Sequence, residues 1–246
     1  MLPVLVITLT SCHSKNNPQA DTNQRLLNAS FNGTAVVVEE LLQTGADPNY
    51  VGFAKPYHPA KDPLSPIEIA SANASFNTES FAIVQALLKH GAKPTVKALV
   101  LALDGTENNV VSTLVKAGVN VNEKAQVDGR ELLPIIACVS GTMSSSSSSN
   151  QNLATLLAAG VSLHVVDSAG RTPLLIAAAN YTVTGSLIDP LIAHGANLKA
   201  KGKDGKTALD LLRAEATRCH TAPNYHAGMC DSTDAELARL ANSPAH

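Results

Sequence analysis

Cys219, His220, His226 and Cys230 fall within one short stretch near the C-terminus, and each side chain is a type that binds zinc. Zinc ligands normally come in pairs separated by about two to four residues, and the adjacent Cys219-His220 does not fit that spacing. The other chemistry open to the two thiols is a disulfide closing the loop between them. Catalytic signatures are absent from the rest of the sequence: no nucleophile elbow, no HExxH and no phosphate-cradling glycine loop. Glu39, Glu40 and Asp189 read as carboxylates on solvated helix faces. His90 and His194 each precede a helix-ending glycine, where a cation favours the negative helix terminus. The sequons at Asn28, Asn73 and Asn180 would matter only in a secreted eukaryotic protein. These residues imply no cofactor, no metal and no enzyme.

The elements that must position these groups are legible around Arg171–Leu212. Thr172 caps a helix whose first residue, Pro173, gives up only an N–H without an intrahelical partner. Gly195 stops the next helix. The same punctuation recurs at Gly45, Gly91, Gly118 and Gly160. Eight, seven, four and three residues before each glycine the chain carries Val37, Val38, Leu41, Leu42; Ile83, Val84, Leu87, Leu88; Val110, Val111, Leu114, Val115; Asn152, Leu153, Leu156, Leu157; and Leu187, Ile188, Leu191, Ile192. Only Asn152 departs from the aliphatic rule. The preceding helices open on Leu26, Ile67, Leu99, Ile135, Leu174 and Leu209, and Ala29, Ala70, Ala102, Cys138 and Ala177 follow three residues after the first five. Small residues there let paired helices approach closely. With openings at Thr172 and Thr207 lying about one 33-residue unit apart, the chain resembles the ankyrin repeat. The resemblance implies an all-α ankyrin-repeat solenoid of about five repeats plus a modified C-terminal capping helix pair, over residues 23–246.

Composition agrees with thin helical layers: 45% of the 246 residues are apolar, only 3% are aromatic, and there is no Trp. A net charge of −2 without a basic cluster removes the counterion-release drive for nucleic-acid binding. No apolar run approaches the roughly 20 residues a membrane-spanning helix needs.

At the N-terminus an apolar run from Leu2 ends in Leu9-Thr10-Ser11-Cys12, which resembles a bacterial lipoprotein signal. Residues 1–11 are then a signal peptide, Cys12 receives the lipid, and residues 12–22 form a polar tether. The resemblance implies a periplasm-facing protein, held at the outer rather than the inner membrane. In that oxidising compartment a Cys219–Cys230 disulfide is the expected state, with about 2 to 3 kcal/mol of stabilisation for the terminal helix pair. Cys138, standing where other repeats have Ala, reads as a buried inert thiol.

Insertions locate the expected contacts with a partner. The connection after Gly45 is longer than the ankyrin norm and holds Tyr50, Phe53, Tyr57 and His58, three of the chain's eight aromatics among them. Rings on a projecting finger suit a partner hot spot, or fold back to cap the first repeat. The connection after Gly91 is too short for a finger, which leaves a notch. Extra residues between the helices of repeats two, four and five, including the Ser144–Ser149 tract and the surroundings of Asn180 and Tyr181, are expected as loops on the opposite edge. Pro190 is harmless only if its helix begins near Ile188. Thr233 and Glu236 have capping-box spacing and predict the start of a last helix. Tyr50, Phe53, Tyr57, His58, Asn180 and Tyr181 are the expected partner contacts. The function expected is that of a monomeric binder of another protein, an immunity protein against a secreted toxin or lipase effector, with a periplasmic stress-protection scaffold as the alternative.

Overall fold

The computed structural model describes residues 18–54, 62–103, 108–140, 146–181, 187–221 and 227–242. Their helices come in antiparallel pairs: α1 (Pro18–Asn32) with α2 (Ala35–Gln43), α3 (Pro66–Ala72) with α4 (Ser80–Lys89), α5 (Val96–Leu103) with α6 (Asn108–Lys116), and α7 (Pro134–Ser140) with α8 (Ser146–Ala158). The pairs α9 (Pro173–Ala179) with α10 (Ile188–Ala193) and α11 (Ala208–Thr221) with α12 (Ala227–Ala241) complete the array. First helices pack on first helices in an inner row, α1 through α11, while α2, α4, α6 and α8 form an outer row. One apolar core runs between the rows through every layer.

The same cap ends the second helix of each of the first five pairs. Gly45, Gly91, Gly118, Gly160 and Gly195 all have φ between 77° and 93°. Each glycine N–H donates to a carbonyl three residues back, and the next residue's N–H reaches the carbonyl five back, as in Ala46 N to Leu41 O at 3.0 Å and Ala196 N to Leu191 O at 2.9 Å. A Cβ at these glycines would meet open space. The left-handed backbone, not crowding, therefore demands glycine. Between the caps, Leu41, Leu87, Leu114, Leu156 and Leu191 occupy equivalent buried sites, and Ala29, Ala70, Ala102, Cys138 and Ala177 are buried beneath the partner helices. In the sixth pair the core positions fall to Ala208 and Leu212, while Leu209 is only half-buried.

Asparagine side chains tie successive layers where the backbone ends. Asn49 Nδ2 donates to Gly91 O and its Oδ1 accepts from Lys93 N at 2.8 Å; Asn122 repeats the arrangement with Gly160 O and Ser162 N. Pro190 stands in the first turn of α10, which starts at Ile188, so its missing N–H breaks no helical hydrogen bond.

Several sequence expectations need correction. Residues 18–22, expected in a polar tether, are helical: α1 begins at Pro18, anchored by Gln19 Nε2 donating to Gly45 O and to Asn23 Oδ1. The serine tract is not a loop from Ser146 onward. It is the first turn of α8, with Ser148 and Ser149 buried, because hydroxyls are short enough to pack and can satisfy themselves locally. Residues 141–145 lie outside the described residues. Asn152 is fully buried, and neither its Oδ1 nor its Nδ2 has a partner among the described residues. Thr233 does not cap a helix; it lies inside α12, fully buried, and Glu236 bonds Arg239 instead. The helix starts earlier, at Ala227, so Cys219 sits in the last turn of α11 and Cys230 in the first turn of α12, where a disulfide joins them.

Candidate functional site

The short connection after Gly91 replaces a finger with one buried carboxylate. Ser65 and Glu68 form a capping box at α3, and Glu68 Oε1 also accepts from Thr95 Oγ1 at 2.9 Å. Thr95 Oγ1 in turn accepts from Ala98 N, capping α5. Glu68 thus locks two successive inner helices at their N-termini without any hairpin between them.

Fingers stand on both sides of the resulting notch. Gly52 and Leu64 exchange two backbone hydrogen bonds, 3.0 and 2.8 Å, across the long first connection. A Cβ on Gly52 would come within 2.8 Å of Leu27 Cδ1, so a side chain there would have to displace that buried methyl. On the other side β1 (Ala125–Val127) pairs antiparallel with β2 (Arg130–Leu132) through a two-residue turn, Asp128-Gly129, with φ of 49° and 76°. Asp-Gly favours the turn whose twist matches the strands. That hairpin is a feature the helical reading passed over, although Val-Asp-Gly-Arg is a strong local signal.

Between the fingers lies an apolar cavity of about 440 Å³. Phe31, Leu64, Phe76, Leu101 and Val127 supply its apolar walls. Phe76 belongs to the insertion of repeat two, which was expected on the edge opposite the finger. The two meet because α3 has seven residues and so is only about 10 Å long. Asn73 and Asn77 hold that insertion in place by donating to Phe31 O and Gly33 O. Phe76 is left 86% exposed at the mouth.

Of the six expected contact residues, the four among the described residues, Tyr50, Phe53, Asn180 and Tyr181, do not line this cavity. Tyr50 is half-buried against the Leu27, Leu64 and Ile69 cluster, capping the first repeat. Phe53 is 48% exposed, and its carbonyl accepts from Gln24 Nε2 at 2.8 Å. Tyr57, His58 and Cys12 lie outside the described residues. Asn180 is the C-cap of α9, and Tyr181 OH donates to Ser232 O at 3.1 Å, tying repeat five to α12. Burial, and then the nearby Glu236 carboxylate, raise the Tyr181 phenol. Its polar tip is thus engaged inside the chain rather than offered to a partner. Phe76, which sequence reading did not single out, is the exposed aromatic at the notch; its signal was an apolar ring within an otherwise polar insertion.

Ionisable groups elsewhere are engaged structurally. His90 and Lys89, at 3.0 and 2.7 Å, hold the Glu39 carboxyl down to about 2, tying α2 to α4. Glu39 is therefore not merely a solvated carboxylate. Asp189 pairs with Arg239 of α12. His194 Nδ1 contacts Pro190 O at 2.8 Å, at the end of its own helix. Burial pushes the Cys138 thiol up to about 12. Among the described residues no group of three or more His, Cys, Asp or Glu is arranged to hold a metal. No helix among them is long and apolar enough to cross a membrane.

No family model and no curated protein matches the chain. Solved structures do. EF0377, an ankyrin repeat protein, is 16% identical over 90% of this chain and 98% of its own, with a TM-score of 0.61. The chain has the ankyrin-repeat fold. The solenoid is also similar to a chain in the complex of the predatory endopeptidase Bd0816 from Bdellovibrio bacteriovorus with immunity protein Bd3460. That match has 21% identity over 86% of this chain and 97% of the other, with a TM-score of 0.56.

Proposed function

We propose that this ankyrin solenoid is a non-enzymatic immunity protein, which binds and neutralises a toxin enzyme at the bacterial cell envelope. The observation that carries the reading is the open apolar cavity between two fingers, on a framework that needs no reordering to receive a partner. Similarity to a chain of an endopeptidase–immunity protein complex supports the inhibitor role. The lipobox-like Leu9-Thr10-Ser11-Cys12 supports a lipid anchor and a periplasm-facing position, with the outer membrane as the anchoring membrane.

Affinity capture from envelope extracts, followed by assay of the captured enzyme with and without this protein, tests the function. A co-purifying hydrolase whose activity falls at equimolar inhibitor is the expected result; capture that never returns an enzyme overturns it. Cys12→Ala should end fatty-acid incorporation and release the protein from membranes. Unchanged membrane retention of that variant would refute the anchor.

A further inference from the structure

The mouth of the cavity carries charge as well as apolar surface. Asp62 stands beside the first finger and Asp128 at the tip of the second, and neither has an ion-pair partner among the described residues. Asp128 is placed by the β1–β2 turn, and Asp62 lies two residues before the Leu64 bridge. Among the described residues Lys97 is the cation facing them, on a flexible stem that lines the wall. Two carboxylates against its single charge leave the described part of the rim net negative. Arg130 and the Lys124–Glu131 pair belong to the neighbouring cavity on the far side of the hairpin. Among the described residues that far side is balanced, Lys124 and Arg130 against Glu131 and Asp167, so the excess of carboxylates stands on the side of Phe76.

We propose that the cavity receives a partner loop presenting a bulky apolar side chain, aromatic above all, next to an arginine or lysine. The reasoning is complementarity. Phe31, Leu64 and Leu101 line a space for an apolar anchor, and Phe76 offers a ring face to stack on. An acidic neighbour to the anchor would face two carboxylates as they lose water, which disfavours it; a guanidinium or ammonium meets them instead. This inference rests on the inhibitor reading and names the chemistry of the segment inserted.

The test needs no identified partner. Isotope-labelled full-length protein is titrated by NMR with the capped tetrapeptide Gly-Phe-Arg-Gly and with versions carrying Ser for Phe or Glu for Arg. The expected result is that Gly-Phe-Arg-Gly shifts the amides of residues 73–77, Leu101 and Asp128. It should bind about tenfold more tightly than either substituted peptide at low salt, consistent with a hot-spot anchor and two rim ion pairs. Combining Asp62→Asn with Asp128→Asn should remove the preference for Arg over Glu while leaving the spectrum dispersed. Phe76→Ser, on an exposed loop, should weaken binding of Gly-Phe-Arg-Gly alone. Equal binding of the Glu peptide, shifts confined to other surfaces, or no shifts at ten-millimolar peptide (roughly the weakest binding a single anchor could give) overturns the proposal. So does a dimer in sedimentation that Phe76→Ser abolishes, since a second copy would then fill the cavity. Failure here alongside capture of a neutralised enzyme removes the anchor chemistry and leaves the inhibitor reading standing; an intact peptide preference without any captured enzyme does the reverse.

Discussion

Replacing Cys219 and Cys230 together by serine should loosen one end of the solenoid and leave the other unchanged. The bond closes a loop with a sequence separation of 11. Loop-closure entropy for that length gives about 3 kcal/mol at 25 °C, under the model in which the cross-link acts by restricting the unfolded chain. Both sulfurs are buried between α11 and α12, and the adjacent Ser232 carbonyl accepts from Tyr181, so the lost constraint should spread to α9. It should not spread much further, because each layer of a solenoid touches only its neighbours. With a urea slope of about 2 kcal/mol/M, the transition of the C-terminal layers should move down by about 1.5 M. Urea melts with and without dithiothreitol provide the assay. Reductant should shift the wild type to the double variant's midpoint and leave the variant where it is. Native-state hydrogen exchange should accelerate in α9, α11 and α12 while α1 through α6 stay protected. Identical midpoints with and without the bond, or uniform acceleration along the whole chain, would refute this account of how the end is held.

Other perturbations probe the layers and their charges. Leu114→Ala removes a side chain buried in the middle of the array and should destabilise by about 3 kcal/mol in denaturant unfolding; a change below about 1 kcal/mol would contradict its place in the core. Glu39 is held below its ordinary value of 4.5 in the folded state, down to about 2, so its contribution is present above about pH 4.5 and is lost as pH falls towards 2. Glu39→Gln should therefore melt lower than wild type at pH 6 and converge with it near pH 2; a difference that does not shrink on acidification argues against the His90 and Lys89 contacts. Cys138, buried and with its thiol raised to about 12, should resist iodoacetamide at pH 8 until urea is added; alkylation of the native protein at the rate of a free thiol would place it at the surface.

Ankyrin layers were readable because each is specified locally and redundantly. Gly45 and its four counterparts need a positive φ that other residues adopt only with strain, and the aliphatic positions before them follow the period of a helix. Small residues such as Ala70 and Ala102 mark where helices must come close. The errors fell where local signals were weak or had a competitor. Ser146 and the residues after it looked like a loop because nothing apolar marked them. Thr233 and Glu236 matched a cap, but packing and the Cys219–Cys230 bond carried the helix through that point.

The candidate binding site was far less legible. Sequence alone determined that helix pairs would stack, that the connection after Gly91 would leave a notch, and that no familiar catalytic pattern was present. It did not determine what would border the notch, since Leu64, Phe76, Leu101 and Val127 come from four separate segments. Only the tertiary structure brought them together, by spanning a seven-residue helix with an insertion at one end and fingers at the other. Periodicity along the chain records which residues face the core. Proximity across layers depends on the pitch and length of elements, which no single stretch encodes.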